Sequence, residues 1–223
     1  EGAQGVLLDL DHGTYPYVTS SSSTAGGVAT GLGLSPKQIT GILGITKAYA
    51  TRVGSGPFPT ELKDETGALL ARKGDEFGAT TGRPRRCGWF DAVAARYSCR
   101  INGVDLLALT KPDVLEGLSE IKACYAYEYK GSKLKDFLAD PHVLDKVQPV
   151  YRTFPVWEDS IQHLSNEDKL PAGFNDYVKW LEDELEIPVG IISTGVARED
   201  IIYIKEKCSR LLGAQAEKLF GKH

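Results

Sequence analysis

Apolar and polar positions change period several times along the 223-residue chain, and each change marks an element. Leu106–Thr110 is a compact apolar run that fits a strand covered on both faces. Val189–Ser193 is a second such run and ends at Thr194-Gly195, while Ile121–Tyr129 alternates and reads as a strand. Helical spacing appears over Pro171–Glu186, where Phe174, Tyr177, Val178, Trp180 and Leu181 share a face. It recurs over Gly88–Arg100 through Trp89, Val93, Ala94 and Tyr97, and Glu65–Lys73 and Arg198–Phe220 also read as helices. Pro112 suits the first turn of a helix running to Leu118. Gly5–Leu10 reads as a short buried strand. Ile39–Val53, with Ile42, Leu43, Ile45, Tyr49 and Val53, reads as a buried strand with a helical lead-in. Thr24 is placed to cap a helix of small residues through Ala25–Leu32. Strands alternating with helices predict an α/β fold with a mainly parallel central sheet flanked by helices. No repeat or low-complexity linker interrupts it, so one continuous domain over residues 1–223 is expected.

Composition narrows the function. The apolar fraction of 42% and charged fraction of 25% are those of an ordinary globular protein with a sizeable core. A net charge of −4 argues against a general nucleic-acid binder, and no run approaches the roughly 18 apolar residues of a membrane span. Cys87, Cys99, Cys124 and Cys208 lack CxxC spacing, which points to a reduced, cytoplasmic protein without a zinc site. The first residues, Glu1-Gly-Ala-Gln-Gly, run directly into a core-like pattern, as if the chain were a piece of a longer one.

The densest chemistry lies in Gly78–Trp89. Gly78 and Gly82 let backbone N–H groups approach a ligand, Thr80 and Thr81 add hydroxyls, and Arg83, Arg85 and Arg86 place three cations within four positions around Pro84. Guanidinium forks bind carboxylate or phosphate, so an anion pocket is the expectation, with a solvated basic loop as the alternative. Ligands in such sheets gather at the carboxyl ends of strands. Thr110-Lys111-Pro112-Asp113 follows one. A carboxylate at Asp113 can accept from both N1–H and the exocyclic amine of guanine, and the Lys111 stem can lie along the purine face. Asp113 reads equally well as a helix cap. Ser193-Thr194-Gly195 follows a second strand and offers backbone groups, as the far wall of a base pocket would. Gln4 and Thr19 bring an amide and a hydroxyl suited to a purine edge and a phosphate. His12 has only Asp9 or Asp11 as a nearby carboxylate and reads as structural. His142, His163 and His223 show no metal-ligand spacing.

Glu1-Gly-Ala-Gln-Gly, Asp11-His-Gly-Thr-Tyr-Pro-Tyr-Val-Thr-Ser, Thr51-Arg-Val-Gly-Ser-Gly-Pro-Phe-Pro-Thr-Glu, Glu76-Phe-Gly-Ala-Thr-Thr-Gly-Arg-Pro-Arg-Arg-Cys-Gly-Trp, Thr110-Lys-Pro-Asp-Val-Leu and Ile192-Ser-Thr-Gly occur here in order. In these segments the chain resembles the adenylosuccinate synthetases, over roughly their C-terminal half. The resemblance implies part of a P-loop-NTPase-like fold and the GTP- and Mg²⁺-dependent joining of IMP to L-aspartate in purine biosynthesis. It implies IMP contacts at Gln4, Thr19, Val53 and Arg83. It implies an aspartate loop of Ala79, Thr80, Thr81, Gly82, Arg83, Pro84 and Arg85. GTP contacts follow at Arg85, Lys111, Pro112, Asp113, Ser193, Thr194 and Gly195. A homodimer is also implied. The family's phosphate loop, catalytic aspartate and histidine, and with them the Mg²⁺ ligands, fall outside this sequence, so no catalytic or metal-binding residue is expected within it. The isolated chain is therefore expected to be inactive. A non-catalytic guanine-nucleotide-binding module is the alternative, and a protein–protein interaction domain with an incidental arginine loop is a third reading.

Overall fold

The computed structural model describes residues 4–78 and 82–213. In chain order the elements are α1 (Gly26–Leu32), β1 (Leu43–Lys47), β2 (Ala50–Arg52), α2 (Glu65–Lys73), β3 (Arg86–Gly88), β4 (Phe90–Asp91), α3 (Ala92–Asn102), β5 (Leu106–Thr110), β6 (Ile121–Tyr129), β7 (Ser132–Leu134), α4 (Pro141–Leu144), β8 (Gln148–Phe154), α5 (Ala172–Leu185), β9 (Val189–Ser193), β10 (Ile201–Tyr203) and α6 (Lys205–Leu212). They divide between two compact units. One holds the described residues of Glu1–Thr40, Ala50–Gly103 and Lys122–Arg152, the other those of Gly41–Tyr49, Val104–Ile121 and Thr153–His223.

The second unit carries the parallel sheet, in the order β1-β5-β9-β10. β1 and β5 run parallel with Leu43 opposite Leu106, β5 and β9 run parallel with Leu109 opposite Ile192, and β10 returns antiparallel to β9. Leu106, Leu109, Val189 and Ile192 are almost fully buried, which is why these strands read as continuous apolar runs. α5 buries Phe174, Tyr177, Val178, Trp180, Leu181 and Leu185. Its aromatics meet Phe154 and Trp157 edge-on, with centroids 5.0 Å apart for Phe154–Tyr177 and 5.2 Å for Trp157–Phe174. The Tyr177 hydroxyl donates to the Ala48 carbonyl at 2.8 Å, so the phenol is buried with its polar end satisfied.

In the first unit β2 pairs antiparallel with β3, and β4 runs parallel to β6, which also pairs with β7 and β8. Val93, Cys124, Tyr127, Phe137, Leu144 and Val147 form its core cluster. Helices α2 and α3 start at aspartates. The Asp64 side chain accepts from the Gly67 amide, and Asp91 accepts from Val93 and Ala94.

Several expectations are corrected. Gly5–Leu10 is not a strand; Val6–Leu8 is a 3₁₀ turn, and positive φ at Gln4 and Gly5 prevents an extended run. Ile39–Val53 breaks at Ala48-Tyr49 into β1 and β2, and Leu43 and Ile45 of β1 are 41% and 72% exposed because they share the outward face of a strand at the end of its sheet. The helix expected over Gly88–Arg100 begins only at Ala92, where Asp91 caps it. Pro112 opens a four-residue 3₁₀ turn rather than a helix to Leu118. Thr24 does not cap α1; the N-cap is Ala25, and the Thr24 amide donates to Asp9. The tail read as Arg198–Phe220 contains β10 before α6, and its end lies outside the described residues. All four cysteines are free and buried.

Candidate functional site

The candidate residues fall into two clusters, one in each unit. In the second unit β5 and β9 are parallel neighbours, so the loops leaving their carboxyl ends emerge on one edge. Lys111 leaves β5 in the left-handed region, at φ 57° and ψ 32°. That conformation costs a non-glycine residue about 1–2 kcal/mol, and such strain gathers at functional sites. Asp113 is not the cap of the turn that follows. Lys111 occupies the N-cap position without a side-chain capping bond, and Asp113 lies in the first turn, half-buried, beside the buried Pro112. On the β9 side, the Ser193 hydroxyl donates to the Gly195 carbonyl at 3.0 Å. Thr194 turns inward: its amide donates to the Asp200 carbonyl, and its hydroxyl donates to the Leu164 carbonyl, both at 2.8 Å. The Thr194 side chain therefore holds the loop rather than facing a base.

In the first unit the arginine loop is closed at its neck. Phe77 bridges Pro84, the Gly78 amide donates to the Arg83 carbonyl, and the Gly82 amide donates to the Gly78 carbonyl, with Gly82 at φ 62° where glycine fits without penalty. Ala79, Thr80 and Thr81 lie outside the described residues. The three arginines differ. Arg86 grips Glu61 through a bidentate fork, Nε to Oε1 and Nη2 to Oε2 at 2.7 Å each, and donates from Nη1 to the Gly54 and Gly56 carbonyls. This hydrogen bonding, opposed by partial burial, keeps Glu61 below the ordinary carboxylate range and Arg86 above its usual value. Arg85 reaches the fully buried Glu76 at 2.7 Å. Arg83 is exposed. The crowding of three cations thus does not by itself demand an external anion; two of them carry carboxylates of this chain.

Gln4, Thr19 and Val53 belong to the same unit. Thr19 is half-buried with its amide bound to the Leu8 carbonyl, and Gln4 is exposed at φ 81°. Two residues not singled out from the sequence organise these loops. Asp9, fully buried, accepts from the amides of Asp11, His12, Ser23 and Thr24. Burial works to raise its pKa, but the four amides outweigh it and hold the carboxyl below its ordinary range. Arg52, on β2 opposite Arg86, donates to the Thr14 hydroxyl, the Tyr17 carbonyl and the Ser55 carbonyl. It thereby ties the loop leading to Thr19 to the one that follows Val53. A Cβ at Gly56 would stand 2.4 Å from Arg52 Nη2, so only glycine admits the guanidinium there. His12 is engaged through its backbone, with its amide on Asp9 and its carbonyl accepting from the Tyr97 hydroxyl at 2.7 Å. This agrees with its structural reading.

Comparison with known proteins decides the family. The family model described as adenylosuccinate synthetase matches residues 1–202. The chain belongs to the adenylosuccinate synthetase family. It is 53% identical over 206 residues to the adenylosuccinate synthetase of Synechococcus sp. (strain JA-2-3B'a(2-13)), covering 92% of this chain and 46% of that protein. It is 54% identical over 202 residues to the one from Salinibacter ruber, covering 91% and 46%. Among solved structures, a fully ligated adenylosuccinate synthetase from Plasmodium falciparum superposes with a TM-score of 0.88 at 42% identity, over 91% of this chain and 49% of that one. A cyanophage S-2L succinoaminodeoxyadenylate synthetase at 20% identity, with a TM-score of 0.54 over 98% of this chain and 49% of that one, shares the fold alone. The α/β fold with its mainly parallel sheet is that of the family, and the chain spans about half the length of the curated relatives it matches.

Proposed function

We propose that this chain supplies the base-reading and aspartate-holding part of an adenylosuccinate synthetase, a GTP-dependent carbon–nitrogen ligase. In that reaction O6 of IMP attacks the γ-phosphorus of GTP, the bond to the β-phosphate oxygen breaks, and GDP leaves. The amine of L-aspartate then attacks C6 and expels phosphate, giving adenylosuccinate. The observation that carries the reading is the shared carboxyl edge of β5 and β9, from which Lys111–Asp113 and Ser193–Gly195 both emerge. On this edge Asp113 accepts from guanine N1–H and its exocyclic amine, the Lys111 stem covers the purine face, and Pro112 sets the turn. Gly195 contributes backbone groups. In the other unit Arg83 and the free face of Arg85 take the carboxylates of aspartate with the Ala79–Pro84 loop, and Gln4, Thr19 and Val53 meet IMP.

Phosphoryl transfer relies on positioning and charge neutralisation, which a phosphate loop and a metal provide. Among the described residues no group of three or more His, Cys, Asp or Glu is placed to hold a metal ion, and no step is assigned to the Mg²⁺ that the family implies. Among them, too, no helix is long and apolar enough to cross a membrane. The reading takes the working unit as a homodimer, and the 223 residues tested alone should form no adenylosuccinate in a steady-state assay.

The test is Asp113→Asn in the full-length protein. GTP should weaken about tenfold or more, the loss of charge-assisted hydrogen bonds worth about 1.5–3 kcal/mol each, while xanthosine triphosphate improves because the amide donates to its 2-oxo group. Unaltered discrimination between the two nucleotides would reject Asp113 as the base reader.

A further inference from the structure

One ionisable pair on the β9 edge has no part in the reaction described above. His163, between β8 and α5, places Nδ1 2.9 Å from Oδ1 of Asp200, in the turn before β10. Asp200 is buried, and its Oδ2 accepts from the Ala197 amide at 2.9 Å. Its carbonyl accepts the Thr194 amide, the Thr194 carbonyl accepts the His163 amide at 3.3 Å, and the Thr194 hydroxyl donates to the carbonyl of Leu164. Thr194 is thus gripped from the Asp200 side and from the His163–Leu164 side, and the His163–Asp200 contact closes the ring. A Cβ at Gly195 would stand 2.4 Å from Asp200 Oδ2, so the glycine lets the carboxylate pass directly beneath the loop. His163 itself sits at φ 60°, where glycine would be easier to accommodate, yet its ring points to Asp200.

We propose that His163 and Asp200 are positioning residues that latch Ser193–Gly195 in place for guanine. The inference deepens the base-pocket reading and rests on it. Asp200 faces His163 from the turn before β10 and Asp113 from the turn after β5; Glu116 of that second turn is engaged by Ser160 and the Ile161 amide, and Arg198 and Glu199 beside Asp200 are exposed. The Asp200 hydrogen bond, then its charge, and more weakly Asp113 hold the histidine above its ordinary pKa. The same bond, with the Ala197 amide, holds Asp200 below its own. The latch is therefore a charged pair at low pH and loses its charge as pH rises through the raised histidine value.

The experiment is steady-state kinetics of the full-length protein from about pH 6 to about pH 9, a window that brackets histidine titration. In the unaltered protein KM for GTP should rise about two- to fivefold across this range, the effect of an exposed ion pair, while KM for IMP moves less. His163→Gln should show the raised KM for GTP already at low pH and lose the pH dependence. Asp200→Asn, which keeps an acceptor for Ala197, should behave alike. Because the His163 side chain is 71% exposed, its replacement leaves the melting temperature unchanged. If His163→Gln tracks the unaltered protein at every pH while Asp113→Asn weakens GTP, the latch is overturned and the base pocket stands. If Asp113→Asn also leaves GTP unaffected, the base-pocket reading falls and the latch with it.

Discussion

The arginine-bearing unit and the unit built on β5 and β9 hold their candidate groups by different means. In the first, charged side chains are matched to partners elsewhere in the chain: Arg86 to Glu61 across 25 positions, Arg85 to Glu76, and Asp9 to the amides of Ser23 and Thr24. In the second, the groups follow directly from strand ends, and backbone bonds through Thr194 and a left-handed Lys111 set their direction, with the His163–Asp200 pair holding one of the two loops. A site scaffolded by ion pairs responds to charge changes in its frame. A site scaffolded by sheet geometry responds chiefly at the residues that meet the ligand.

The largest expected effect probes the frame of the first unit through Asp91. Its carboxylate is buried, caps α3 and accepts from the Tyr127 hydroxyl at 2.6 Å. Burial, only partly offset by that hydrogen bond and the two amides, pushes its pKa from 3.8 to about 6. The folded form therefore keeps its proton to higher pH than the unfolded chain does. Stability conferred by the protonated cap is complete below about pH 4 and is lost as pH rises to about 6, by about 3 kcal/mol in all. Denaturant unfolding at a series of pH values should show that slope, and Asp91→Asn should flatten it. A slope that survives the substitution would assign it to other groups.

Next in size is Glu61→Gln, which replaces the carboxylate in the Arg86 fork with a neutral amide. A loss of about 2 kcal/mol is expected in urea unfolding, the scale of hydrogen bonds between charged groups. Arg83→Leu supplies the contrast. Arg83 is exposed, so stability should shift by less than about 0.5 kcal/mol while KM for aspartate rises in the full-length protein. Were Arg83→Leu to unfold the protein as Glu61→Gln does, all three arginines would be framework and the aspartate loop would lose its reader.

The same contrast explains what was legible in the chain. β5, β6, β9 and α5 were read almost to the residue, because burial on one or both faces writes its period into neighbouring positions. The Lys111–Asp113 and Ser193–Gly195 loops followed from those strands. The roles of Arg52, Glu61 and Glu76 are not legible, since they depend on pairings between separate segments: Arg52 stands opposite Arg86 in β2–β3, Glu61 bridges Gly88, and the Arg85 amide meets the Glu76 carbonyl. No local pattern encodes that register. In the sequence Asp9 reads only as a carboxylate near His12, whereas it serves four amides. Its signal, an aspartate before a polar loop rich in Ser and Thr, is common to any turn. The Gly5–Leu10 strand failed because apolar content alone does not distinguish a tight turn from an extended run.

A smaller effect than those at Asp91 and Glu61 separates strain from binding at Lys111. Its left-handed backbone costs about 1–2 kcal/mol, which glycine would relieve, while glycine adds entropy to the unfolded chain. These terms oppose each other, so Lys111→Gly should alter stability by less than about 1 kcal/mol. GTP affinity should nevertheless fall in the full-length protein, because the alkyl stem that covers the purine face is gone. Paired measurements of unfolding and GTP binding decide it. A stability loss of several kcal/mol with GTP binding intact would make Lys111 a framework residue like Arg86, and the two units would then be held by the same means.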